Sequence, residues 1–205
     1  MNLKLEAAAP ILLEEPLLDD QRFLLAGITW EQYETLRDLL DQSGLRMTYL
    51  EGWLELFMPS EKHERIKKTI ARLLEQYAIS QNIRLYGYGS STYRKQAKQR
   101  GLEPDECYYL NTKKEVPDIA LEVVVTSGLV DKLAVYQGLG VTEVWIWRND
   151  QLEIHHLRQS GYEQLSTSEL LPDLDLALLT RCVAIADQHD AVTAFRDTLR
   201  QKDES

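Results

Sequence analysis

The chain has 205 residues, 44% hydrophobic and 27% charged, the balance of one soluble domain with a sizeable core and with disorder confined to its ends. A net charge of −10 excludes a protein that coats nucleic acid by bulk electrostatics, so any polyanion has to meet a local basic patch. Cys107 and Cys182, far apart and without metal-ligand spacing, exclude a disulfide framework and a zinc site, and no apolar run approaches the roughly 18 residues of a membrane span; a cytoplasmic protein is expected.

Residues 1–27 show no sustained period and read as an N-terminal arm with at most a short strand. Thr29, followed three residues later by Gln32, forms a capping-box pattern, and Trp30, Tyr33, Leu36 and Leu40 recur at helical spacing until Gly44. Residues 46–50 and 53–58 read as two strands around a tight Glu51-Gly52 turn. Pro59-Ser60 announces a second helix with a buried stripe of Ile66, Ile70, Leu73, Leu74 and Tyr77 and with Lys62, Arg65, Lys67, Lys68 and Arg72 largely outside it. Strands follow at 83–88 and 92–96, separated by a GYGSS turn that lacks the pattern of a phosphate loop.

A basic cluster of Arg94, Lys95, Lys98 and Arg100 then borders an acidic, strand-rich stretch over 103–147. Its runs 108–110 and 119–125 are rich in β-branched and aromatic residues, and the polar run 111–115 between them makes a hairpin. Asp105 and Glu122 then lie on neighbouring strands. Alternation puts Ile119, Leu121, Val123 and Val125 on one apolar face and Asp118, Ala120, Glu122 and Val124 on the other, where small Ala120 leaves room beside the carboxylate. A short helix over 129–139, a strand over 144–147, an Asn149-Asp150 turn, its partner strand 152–157 and a further strand 162–165 complete the series. Leu174 to Leu179 suggest a short helix, and Val192, Phe195 and Leu199 a longer one that ends in a polar tail. The order predicts an α/β domain with a mixed central sheet flanked by helices and with extra hairpin strands. Its divisions are an arm over 1–27, a main domain over 28–185, and a C-terminal helix and tail over 186–205.

EPDECYY, PDIALEV and DKLAVYQGLGVTEVWIW, preceded by MPSEKHERI, resemble a large family of restriction-endonuclease-like proteins in the PD-(D/E)XK nuclease superfamily, abundant in cyanobacteria. The likeness runs from about Thr29 to Leu179. It implies a sheet flanked by helices, a divalent cation held by the motif's acids, Mg²⁺ with Mn²⁺ as a substitute, and hydrolysis of a DNA phosphodiester. Carried over residue by residue, Asp105 and Glu122 are the implied metal ligands, aided by a main-chain carbonyl just after Glu122. The superfamily's lysine stands two positions after that acid, where this chain has Val124. Within the family it is transferred to the following helix, where Lys132 matches it, and the three implied catalytic residues are Asp105, Glu122 and Lys132. A second departure is VVVTSG after Glu122, in place of the leucine-serine-proline turn of many relatives.

Taken singly these signals are weak: a PD dipeptide is a common turn, a lone lysine is usually solvated, and Pro117-Asp118 is a competing PD ranked below Asp105. Their joint order carries the assignment. Three residues are accessory candidates. Glu51 stands on the early hairpin, as does Glu55, where the superfamily sometimes places a further acid. His63 opens its helix at a position the family often fills with histidine, and Tyr136 shares a helical face with Lys132, although a core tyrosine is its plainer role. His155-His156 point to opposite strand faces, and surface placement accounts for them. Arg94, Lys95, Lys98 and Arg100, with Lys67 and Lys68, are the candidate phosphate contacts. The expected activity is a Mg²⁺-dependent endonuclease acting on DNA. Its rivals are a non-catalytic module on the same fold that binds nucleic acid or protein, and a phosphoesterase with a small substrate; assembly into a homodimer is left open.

Overall fold

In the computed structural model, which describes residues 19–40, 44–126 and 128–203, the local signals become elements close to where periodicity puts them. Helix α1 (Trp30–Leu40) starts with reciprocal capping: the Gln32 amide donates to Thr29 Oγ1 (3.2 Å) and the Thr29 amide to Gln32 Oε1 (2.8 Å). Thr29→Ala is expected to cost about 1 kcal/mol, read as a lower urea midpoint. Strands β2 (Arg46–Leu50) and β3 (Trp53–Met58) are joined by Glu51 (φ 47°) and Gly52 (φ 93°), both left-handed as a tight hairpin turn requires. Tyr49 of β2 stacks on Tyr33 of α1 with ring centroids 4.9 Å apart, within a small core that includes Trp30 and Leu54.

These hairpin strands do not extend the central sheet. They form a second, five-stranded antiparallel sheet with β1 (Gln21–Ala26), β5 (Tyr93–Lys95) and β6 (Arg100–Leu102), in the order β1-β3-β2-β6-β5. The six-stranded sheet runs β11 (Gly161–Leu165), β10 (Gln151–Arg158), β9 (Glu143–Arg148), β8 (Ile119–Val124), β7 (Glu106–Leu110), β4 (Leu85–Gly87). Its one parallel pair is β8 with β9, and the crossover between them carries α3 (Lys132–Leu139), as parallel neighbours demand.

One face of this sheet, with Ile119, Leu121, Val123 and Trp145, packs against α2 (Glu61–Ser80), α4 (Leu176–Val183) and α5 (Gln188–Asp203). Phe195 and Ala191 of α5 are fully buried, so this helix belongs to the core. The opposite face is covered as well. Ala120, Val144 and Ile146 cluster with Val135, Tyr136 and Leu139 of α3 and with Tyr93 and Leu102 of the smaller sheet. The space beside Ala120 is therefore protein interior, and Glu122 is a buried group between two layers. Gly101 allows the close approach of β6 to α1: a Cβ there would lie 2.5 Å from the Tyr33 hydroxyl. Both cysteines are free and buried. The arm before residue 19 and the tail after 203 lie outside the described residues.

Candidate active site

The antiparallel register of β7 and β8 pairs Glu106 with Leu121 and Cys107 with Ala120; continued by one residue, it sets Asp105 opposite Glu122. Both carboxylates are 1% exposed, and a buried carboxylate is tolerable only when paired and hydrogen-bonded. Asp105 accepts from the Val123 amide at Oδ2 (2.6 Å) and from the Arg46 guanidinium at Oδ1. Arg46, from the start of β2, also reaches Glu64 (2.7 Å). His63 Nε2 lies 3.0 Å from Asp105 Oδ1 and Nδ1 lies 3.6 Å from Asp20, but neither ring nitrogen is aligned for a directional hydrogen bond. Burial pushes the imidazole pKa down against the pull of Asp20.

Glu122 is held from α3. Asp131 caps that helix by accepting from the Ala134 amide (3.1 Å), and the first helical residue, Lys132, then places Nζ 2.5 Å from Glu122 Oε2. One turn on, the Tyr136 hydroxyl donates to Glu122 Oε1. Burial, then the Glu122 charge, pushes the phenol pKa well up, so Tyr136 stays a donor. A cavity of about 150 Å³ opens here, lined among others by Glu122, Lys132, Arg22, Ile146 and Arg148.

Asp105, Glu122, Lys132, Tyr136 and His63 thus come together. Glu51 does not join them: it sits in the β2–β3 turn with its side chain 63% exposed and paired with Arg100 (3.1 Å). The hairpin acid beside the cavity is Glu55, fully buried on β3, which accepts from Arg22 (2.6 Å) and from the amides of Leu129 and Val130. Helix α3 begins at Lys132 and not at 129, because the extended Asp131 caps it, and the two amides of the loop before that cap are held by Glu55. The signal of Glu55 in the sequence is a carboxylate inside the apolar strand WLELFM. Arg22 and Arg46 were missed because no spacing rule says which acid a strand-end arginine faces; Arg22 also lies 3.8 Å over the Phe57 ring. The competitor Asp118 serves the hairpin, accepting from the Leu110 amide (2.8 Å) and Lys114 (2.5 Å).

The basic cluster is largely committed elsewhere. Arg94 pairs with Glu34 (3.2 Å), Lys95 donates to the Leu139 carbonyl (3.0 Å) and Arg100 holds Glu51, while Lys98 is exposed on a 3₁₀ turn, Gln96–Lys98. His156 is not a simple surface group: its side chain is 12% exposed and its Nδ1 lies 3.1 Å from buried Glu143. Among the described residues, the trio of potential metal-binding side chains whose ligand atoms lie within 4.8 Å of one another is Asp187, His189 and Asp190. All three are exposed at the start of α5, where Asp187 accepts from the His189 and Asp190 amides (2.8 and 3.0 Å), the work of a helix cap.

Residues 30–186 match the Uma2 family, described as "Putative restriction endonuclease". The chain belongs to this family. No curated protein matches it. The Uma2 match runs from α1 to just past α4 and includes Asp105, Glu122 and Lys132; β1, which carries Arg22, and α5 lie outside it. No helix among the described residues is long and apolar enough to cross a membrane.

Asp20, just before β1, ties this strand to the site by accepting from the Ser60 amide and hydroxyl (both 2.9 Å) at the head of α2. Burial pushes its pKa up, but His63 and Ser60 outweigh that and bring it from 3.8 down to about 2. A depressed carboxylate contributes stability above its unfolded value and loses it as pH falls through the folded one. Asp20→Asn is therefore expected to be less stable than the natural chain near neutral pH, with the gap closing between about pH 4 and pH 2; urea titrations of both proteins across that range check it.

Proposed function

We propose that this Uma2 protein is a metal-dependent endonuclease that hydrolyses phosphodiester bonds of DNA in the cytoplasm. The observation that carries the reading is the meeting of Asp105 and Glu122 across two paired strands with Lys132 Nζ 2.5 Å from Glu122. The donor set fits Mg²⁺: two carboxylates and the adjoining Val123 carbonyl are hard oxygens, and an ion that keeps several of its own waters needs few protein ligands. When bound, Mg²⁺ supplies a lowered pKa for a coordinated water and neutralises charge building on the phosphate.

The chain's own residues do the rest. Arg46 and the Val123 amide hold Asp105 in its orientation, and the Tyr136 hydroxyl fixes one oxygen of Glu122. Lys132 moves its ammonium from Glu122 to a non-bridging oxygen of the scissile phosphate, a contact that a flexible point charge suits, and orients the attacking water. The layers on either side keep bulk water from Glu122, which strengthens each of these contacts.

One observation favours the rival module without catalysis: both carboxylates already have protein cations as partners. The two readings separate in one experiment. Supercoiled plasmid, linear duplex and single-stranded DNA are incubated with the purified chain and Mg²⁺, Mn²⁺ or EDTA, and metal binding is followed by calorimetry. Nicking that EDTA abolishes supports the nuclease, whereas DNA binding with neither cleavage nor metal uptake replaces it with the module.

A further inference from the structure

We infer that the substrate's phosphate backbone is held at the carboxyl-terminal ends of β8 and β9 by Lys62 and Arg148, and not by the Arg94 to Arg100 cluster. This rests on the nuclease reading only in taking DNA as the ligand. In an α/β sheet the crevice beyond the carboxyl ends of parallel strands is where ligands sit, and β8 and β9 are the one parallel pair among the described residues. Two cavities open there. The one beside Glu122 is bordered by Arg148, and the second, of about 180 Å³, by Lys62, Trp147, Asn149 and Asp150; Val124 lines both.

The register makes the placement specific. Glu122 pairs with Ile146 and Val124 with Arg148, so Arg148 stands on Glu122's face of the sheet, two residues or roughly 7 Å nearer the strand end. Lys62 approaches the same end from the first turn of α2. Both are exposed and form no ion pair among the described residues, whereas Arg22, Arg46, Lys67 and Lys132 around them are all paired. The two linings together hold four cations, Arg22, Lys62, Lys132 and Arg148, against three carboxylates, Glu122, Asp131 and Asp150. Arg22 and Lys132 are neutralised by Glu55 and Glu122. The rim's own charges are therefore the unpaired Lys62 and Arg148 against Asp131 and Asp150, a balanced site on a chain of net charge −10. Asp131 is an unfavourable neighbour for phosphate, but its Oδ1 is occupied in capping α3. Contacts of this kind grip phosphate oxygens and carry no base information, so the track accepts DNA irrespective of sequence.

The test is binding of a fluorescein-labelled duplex and of the matching single strand, in EDTA, across a salt series, by the natural chain, Lys62→Ala, Arg148→Ala and the double variant. Arg181→Ala, which removes an exposed cation on α4 that lines neither cavity, is the control. Each track variant is expected to bind more weakly on every sequence, with the slope of log K against log salt smaller by about 0.9 for duplex DNA, while Arg181→Ala matches the natural chain. Unchanged affinity and slope in the double variant overturn the track. Cleavage with Mn²⁺, run on the same preparations, separates the failures: cutting that persists with an unchanged KM in the double variant removes the track and leaves the nuclease. A natural chain that neither binds DNA nor cuts it removes both.

Discussion

Glu122→Gln and Lys132→Ala are each expected to lower metal-dependent DNA cleavage by about 10²- to 10⁴-fold, with the fold intact. Glutamine is the informative replacement for Glu122. It keeps the length of the side chain and an oxygen that can accept from Tyr136, yet removes the charge that a divalent cation and the Lys132 ammonium both require. Alanine instead strips a buried site of its acceptor and leaves the Tyr136 hydroxyl and Lys132 without the partner they share, so a loss of activity would be confounded with a loss of stability of several kcal/mol. Lys132→Ala removes a side chain that is 16% exposed and leaves the buried Glu122 carboxylate with Tyr136 but without its cation, so the variant's urea midpoint is expected to fall while the protein stays folded. Circular dichroism and urea midpoints of the three proteins establish folding, and initial rates of plasmid nicking give the effect. A Glu122→Gln protein that nicks at the natural rate would sink the proposed roles.

The largest effect on stability is expected away from this site, at Glu143. This glutamate at the head of β9 is fully buried and ties the turn after β11 to the sheet. It accepts from the Trp145 indole (2.8 Å), the Ser168 hydroxyl (2.7 Å) and the Glu169 and Leu170 amides (2.8 and 3.2 Å), with His156 Nδ1 3.1 Å away. Glu143→Ala leaves those donors without their acceptor in the interior. An unsatisfied buried donor costs about 1–3 kcal/mol; water entering the vacated space offsets part of the total, and a loss of about 3–5 kcal/mol is expected, the range for breaking a buried charged network from one side. Urea denaturation gives the number directly. A shift of the midpoint equivalent to less than about 1 kcal/mol would show that the turn holds without its acceptor.

The elements that came straight from the residues are those whose cause is local. The strands of the first hairpin fall at 46–50 and 53–58 because Glu51-Gly52 can adopt the left-handed turn and apolar residues flank it. The buried stripe of α2 follows from its period, and the start of α1 from the Thr29 and Gln32 side chains bonding back to each other's amides. The nearness of Asp105 to Glu122 is local too, since it needs only a short hairpin between β7 and β8.

Strand β6 could not be seen in that way. Arg100-Gly101-Leu102 has neither alternation nor β-branched residues, and it is a strand because β2 and β5 lie on its two sides. Arg22, Arg46 and Glu55 were hidden for the same kind of reason: each is a charge with a partner in the site 33 or more residues away, brought near by sheet pairing. Glu51 and Glu55 are four residues apart on one hairpin, yet the turn leaves the first in solvent while the loop before α3 closes over the second. By itself, then, the sequence determined where the chain turns, caps and alternates, and therefore the hairpin that brings two acids together. Which cations neutralise those acids, that a second sheet covers the face behind them, and which positive charges stay unpaired at the strand ends were decided by the tertiary structure alone, because ion pairing in the interior depends on register and crossover between segments that no local propensity connects.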